Sequence, residues 1–148
     1  MNIKGMIFIF LVLSIVPISC GNKDIHKKYP DSEQGDLKCF PRVFSSNSEI
    51  TLKLPKEPPR NLAIRDPAGD WYDVMGDEGF VKYSDFISGR EIKLKANDVK
   101  GIIWVDGKNE VRNVFEKTGE YLLYMANNLE TEPENTYFWK TTVFFRKK

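Results

Sequence analysis

Residues 49–54, EITLKL, and residues 91–96, EIKLKA, decide how this chain is read. Ile50, Leu52 and Leu54 alternate with Thr51 and Lys53, and Ile92 and Leu94 alternate with Lys93 and Lys95. Successive side chains of a strand point to opposite faces. An apolar residue at every second position therefore marks a strand that is dry on one side and wet on the other. Working outward, NLAIRD (61–66) and WYDVM (71–75) flank the turn PAGD (67–70), and GIIWV, VRNVF, EYLLYMA and YFWKTTVFF follow. Proline and glycine at such a turn set the backbone angles that join two strands. These runs recur at spacings of roughly ten residues, and no long stretch carries a helical period. The expected fold is all-β: one sandwich of about 7–9 strands over residues 37–148.

The final run, YFWKTTVFF (137–145), carries large apolar residues on both faces, which predicts a strand in the interior of a sheet or packed at an edge. The stretch FEKTGEYLLYM (115–125) has the order F-x-x-x-G-x-Y. It resembles immunoglobulin-like bacterial domains, where a glycine turn precedes a strand opening with tyrosine. The resemblance implies that the Tyr121 hydroxyl ties back to the chain at a corner. The same strand also resembles the penultimate strand of cupredoxins. There a copper-ligating cysteine ends the strand, with a histidine in the loop beyond. Met125 stands at the cysteine position and ANNLETEPEN (126–135) holds no histidine, so a type-one copper site cannot be built.

Composition narrows the function further. The chain has 148 residues, enough for one domain, with 41% hydrophobic and 29% charged side chains. Its 22 basic and 21 acidic residues leave a net charge of +1, a poor footprint for tracking nucleic-acid phosphates. Two cysteines, Cys20 and Cys39, and a single histidine, His26, are too few for a disulfide framework or a structural zinc site. No cofactor is expected.

The first nineteen residues read as a secretory signal. Lys4 precedes fourteen uncharged residues, GMIFIFLVLSIVPI (5–18), too short to span a bilayer. Ile18, Ser19 and Cys20 then resemble the lipobox of bacterial lipoproteins, although Pro17 replaces the usual leucine. The resemblance implies that Cys20 is acylated and becomes the mature N-terminus. Gly21 after it is similar to the pattern of outer-membrane lipoproteins, facing the periplasm where the host has two membranes. The alternatives are an unlipidated secreted or periplasmic protein, or a Cys20–Cys39 disulfide. With Cys20 acylated, Cys39 is expected to be a small buried residue. Residues 20–36, polar with one isolated isoleucine, predict a flexible lipid-anchored tether.

Three kinds of site are conceivable. The acids Asp66, Asp70, Asp73, Asp77 and Glu78 could bind calcium or hydrolyse wall polysaccharide, but the calcium-loop spacing is absent and turns use acids anyway. A small-ligand carrier would need a cavity between the sheets. The aromatics Trp71, Tyr72, Trp104, Tyr137, Phe138 and Trp139 are mostly expected in the core. Of the adjacent pair Trp71 and Tyr72, one should face outward, because neighbours on a strand point opposite ways. That pair is the candidate binding site. The expected function is a membrane-anchored envelope module that binds a protein or a glycan.

Overall fold

The computed structural model describes residues 21–56, 61–74, 91–126 and 138–148. The signal segment and Cys20 lie outside the described residues, as do Asp77, Glu78 and Tyr137. A helix, α1 (Gly21–Lys28), precedes ten strands: β1 (Lys38–Phe40), β2 (Val43–Ser45), β3 (Glu49–Lys53), β4 (Asn61–Arg65) and β5 (Trp71–Asp73), then β6 (Glu91–Lys95), β7 (Lys100–Val105), β8 (Lys108–Asn113), β9 (Gly119–Ala126) and β10 (Phe138–Arg146). They form a sandwich of a three-stranded sheet, β1-β3-β6, and a seven-stranded sheet, β2-β10-β9-β4-β5-β7-β8.

The two stretches that opened the reading lie side by side. Ile50 pairs with Leu94 and Leu52 with Ile92, antiparallel in the small sheet. Their dry faces meet those of the large sheet: Cys39, Ile50, Leu52 and Ile92 join Leu62, Ile64, Tyr72, Tyr121, Leu123, Met125, Val143 and Phe145 in one core. One end of that core is aromatic, with the Phe115 ring 5.0 Å from Phe44, 4.9 Å from Tyr121 and 5.5 Å from Phe145. The final run is interior to its sheet, with β10 parallel to β2 on one side and antiparallel to β9 on the other.

The described residues hold one strand more than the upper end of the expected range. Three strands, β1, β2 and β5, are three residues each, too short to show a period; the PAGD turn marks β5, and no such turn marks β1 and β2. The chain passes from the small sheet to the large one between them, across the cis peptide Phe40–Pro41. The expected strand 111–115 also shifts. β8 ends at Asn113, and Val114 and Phe115 leave the sheet edge to enter the core. The β7–β8 hairpin turns on Asp106 and Gly107, both at positive φ (49° and 78°), which matches the twist of the flanking strands.

The segment expected to be a flexible tether is structured and, from Tyr29 on, docked. The backbone N–H of Tyr29 closes the end of α1 on the Ile25 carbonyl. The Tyr29 side chain is buried, 5.8 Å ring to ring from Phe144, and its hydroxyl donates to Glu120. Burial and that carboxylate push the phenol up to about 12. Arg42 then pins the following turn, donating from Nη1 to the carbonyls of Pro30 (2.8 Å) and Glu33 (3.3 Å). Gln34 bonds both the N–H and the carbonyl of Cys39. The chain thus packs on the sandwich from Tyr29, whose ring lies on the outer face of β10.

Candidate aromatic binding face

Alternation along the strands sorts the seven-stranded sheet into two faces. The inner face is the core described above. On the outer face, Lys140, Tyr124, Ala63, Asp73, Ile102 and Val111 stand opposite one another in a single row across β10, β9, β4, β5, β7 and β8. In the next row Thr142 faces Leu122, Leu122 faces Arg65, and Arg65 faces Trp71.

Trp71 and Tyr72 divide as strand geometry requires. Tyr72 points inward and is 5% exposed, whereas Trp71 points outward and is 45% exposed. The Trp71 ring packs edge-on against Tyr124, with centroids 6.2 Å apart, and the Arg65 guanidinium lies 5.6 Å over it. Trp104 is 68% exposed on β7, two residues from Ile102 and opposite Asn109 of β8. Trp71, Trp104 and Tyr124 surround a concavity of about 480 Å³, with Ala63 and Ile102 among its lining and Asp73 and Asn109 as polar groups.

Trp104 is one of the six aromatics of which most were expected in the core, and it lies outside it. The missed signal is its neighbour: β8 is exposed throughout and sets Asn109, which cannot cover an indole, opposite Trp104. Trp139 follows the expectation in part. It packs against the core while its indole N–H donates to Asp36 over 3.2 Å. The Phe138 side chain lies outside the described residues.

Of the acids of residues 66–73, Asp66 and Asp70 meet at Lys117 and Asp73 does not join them. Asp66 is buried, and its carboxylate accepts hydrogen bonds from the backbone N–H of Ala68 (2.9 Å) and Asp70 (3.0 Å). The Lys117 ammonium lies 2.7 Å from Asp66 and 3.6 Å from Asp70. Burial raises the Asp66 pKa, but the Lys117 and backbone hydrogen bonds outweigh it and hold the carboxyl below its ordinary range. Such a group stays ionised with its acceptors filled, which suits a turn and not proton transfer. Asp73 stands apart on the outer face. Among the described residues no three His, Cys, Asp or Glu side chains are grouped to hold a metal ion.

The tie-back expected of Tyr121 is present. Its hydroxyl donates to the Lys117 carbonyl (2.8 Å) and accepts from the Lys117 N–H (3.0 Å). Gly119 shapes this corner at φ +151°, where an added Cβ would lie 2.6 Å from the Pro67 ring. Cys39 is fully buried with a free thiol, which burial first, then the nearby Asp31 charge, push up to about 12.

The fold and this face together define a class, a β-sandwich with an aromatic strip on the open face of its larger sheet. No known protein family, curated protein or solved structure matches the chain.

Proposed function

We propose that this chain is an exported binding module of the cell envelope, anchored through an acylated Cys20, and that the outer face of its seven-stranded sheet binds a glycan. The single observation that carries the binding reading is the pair of exposed indoles, Trp71 and Trp104, beside Tyr124 on one sheet face. Large aromatics left in water on adjacent strands cost solubility unless something covers them. Sugar rings have apolar C–H faces rimmed by hydroxyls. Flat indoles match the first, and Asp73 and Asn109 beside them match the second.

The anchor reading rests on the short apolar leader ending in Ile18-Ser19-Cys20. Among the described residues no helix is long and apolar enough to cross a membrane. Intact-mass measurement on protein from its host's membrane fraction tests the anchor. The expected species starts at Cys20 and carries acyl groups; a bare chain starting nearby overturns it.

Titration of the folded domain with cell-envelope oligosaccharides, followed by tryptophan emission and calorimetry, tests the ligand. The expected result is saturable binding weakened more than about tenfold by Trp71→Ala or Trp104→Ala. Binding untouched by both substitutions places the ligand elsewhere.

A further inference from the structure

Beside the aromatic strip, the same sheet face carries a second concavity of about 370 Å³, and its chemistry is different. Arg42, Arg65 and Lys140 line it together with Thr142 and Gln34, against a single acidic lining residue, Glu33. No carboxylate of the described residues forms an ion pair with any of the three cations. Arg42 is the informative one. It is 6% exposed, and a buried guanidinium is ordinarily paired with an acid. Here its side-chain partners are dipoles and a ring: the Thr142 carbonyl at 2.9 Å, the Pro30 and Glu33 carbonyls, the Thr142 hydroxyl at 2.9 Å, and the Tyr29 ring, whose centroid lies 5.5 Å from the guanidinium carbon.

The hydrogen bonds leave donors unused on residues that line the concavity. A guanidinium has five N–H groups. Those four hydrogen bonds use four of them and leave one on Nη2. The Thr142 hydroxyl accepts from Arg42 and so keeps its own proton to donate. Lys140 and Arg65 add two charges on the exposed outer face, and Arg65 also covers Trp71. The cationic pocket and the aromatic strip are therefore contiguous. From Thr142 on β10 to Trp104 on β7 there are four strand spacings, roughly 19 Å.

We propose that the pocket lined by Arg42, Arg65, Lys140 and Thr142 binds the carboxylate of an acidic sugar residue, making the ligand of the aromatic strip an acidic glycan of the uronic-acid class. This rests on the glycan reading of that strip. A carboxylate carries one charge and accepts from an arginine fork and a hydroxyl together. Glu33, also in the lining, repels the double charge of a phosphate monoester more than the single charge of a carboxylate, which favours the carboxylate. The Arg42 charge, which no carboxylate of the described residues pairs, then gains an anionic partner in the ligand.

The test uses three probes on the whole domain: a uronic-acid oligosaccharide, the same oligosaccharide with its carboxyls reduced to alcohols, and a sugar phosphate of equal length. The uronate should bind about tenfold or more tightly than its reduced form. That preference should shrink on raising salt and vanish in Lys140→Gln, a surface change that spares the fold. Because Arg42→Ala removes four hydrogen bonds and endangers folding, Arg65→Gln is the second variant, with the same expected loss. Equal binding of uronate and reduced form overturns the carboxylate proposal and leaves the glycan reading standing. Tighter binding of the sugar phosphate overturns the choice of carboxylate. Failure of all three probes to bind overturns this proposal, and the glycan reading is then decided by neutral envelope sugars alone.

Discussion

The two faces of the seven-stranded sheet are built from the same strands and do opposite things. On β5 the step from Trp71 to Tyr72 crosses the whole difference, from an indole nearly half in water to a phenol buried against the core. On β9 the step from Tyr121 to Tyr124 does the same. The first is sealed into an aromatic cluster, and the second stands in the outer row. Chemically similar residues thus end up sealed in the core or standing on the open face according to parity along the strand. Inner residues are set by what they must pack against. Outer ones are free of that demand, so an accumulation of aromatics there needs a different cause.

That contrast can be broken most directly at β5. Tyr72→Ala should lower unfolding free energy by about 3–5 kcal/mol in denaturant titrations, the range for emptying an aromatic site. Trp71→Ala should lower it by under about 1 kcal/mol while weakening glycan binding. Equal losses from the two would erase the distinction between the faces.

A smaller effect is expected at the Asp66 corner, where one face is tied to the turn below it. Asp66→Asn should cost about 2 kcal/mol, since it weakens the Lys117 contact and the turn hydrogen bonds together. The sign of its pH dependence follows from the lowered folded-state pKa. The stability Asp66 contributes is present above its ordinary value of 3.8 and is lost as pH falls through the lower folded value. Lys117, raised above 10.5 chiefly by its hydrogen bond to Asp66, loses its share at the alkaline end. Acid unfolding of the Asp66→Asn variant should therefore be shallower below about pH 4 than that of the parent.

Tyr121→Phe keeps the ring and removes only the hydroxyl, so about 1 kcal/mol should go with the tie-back to Lys117. The smallest change is expected for Trp104→Ala, within about 0.5 kcal/mol of the parent. Before that substitution, iodide should quench Trp104 readily. A protected Trp104 would mean that this side of the face is covered in solution.

Most of the sandwich was legible because the inner faces of its longer strands leave a period-two record: Ile50, Leu52, Ile92, Leu94, Leu62, Ile64 and the alternate residues of β9 and β10. Tyr121 was legible through its glycine two residues earlier. Two kinds of feature were not. β1 and β2 are too short to carry a period and lack the proline-glycine turn that marked the equally short β5, so they were invisible, and with them the switch of sheets at Pro41. Single long-range contacts carry no local signal either. Nothing in KKYPDSEQ announces that Tyr29 meets Phe144 and Glu120, 115 and 91 residues away. The site was half legible for a related reason. Parity predicts that one of two neighbours faces out, and Trp71 does. Whether Trp104 is covered depends on β8, whose own exposure is decided by standing at the edge of the sheet.

The docking of Tyr29 also sets a working distance. With an acyl group on Cys20, only α1, residues 21–28, separates the lipid from the first residue held by the sandwich. Eight helical residues reach about 12 Å, less than half of what the same number would span if extended. A domain on so short a stalk would ride against the headgroups, with little freedom to sweep away from them.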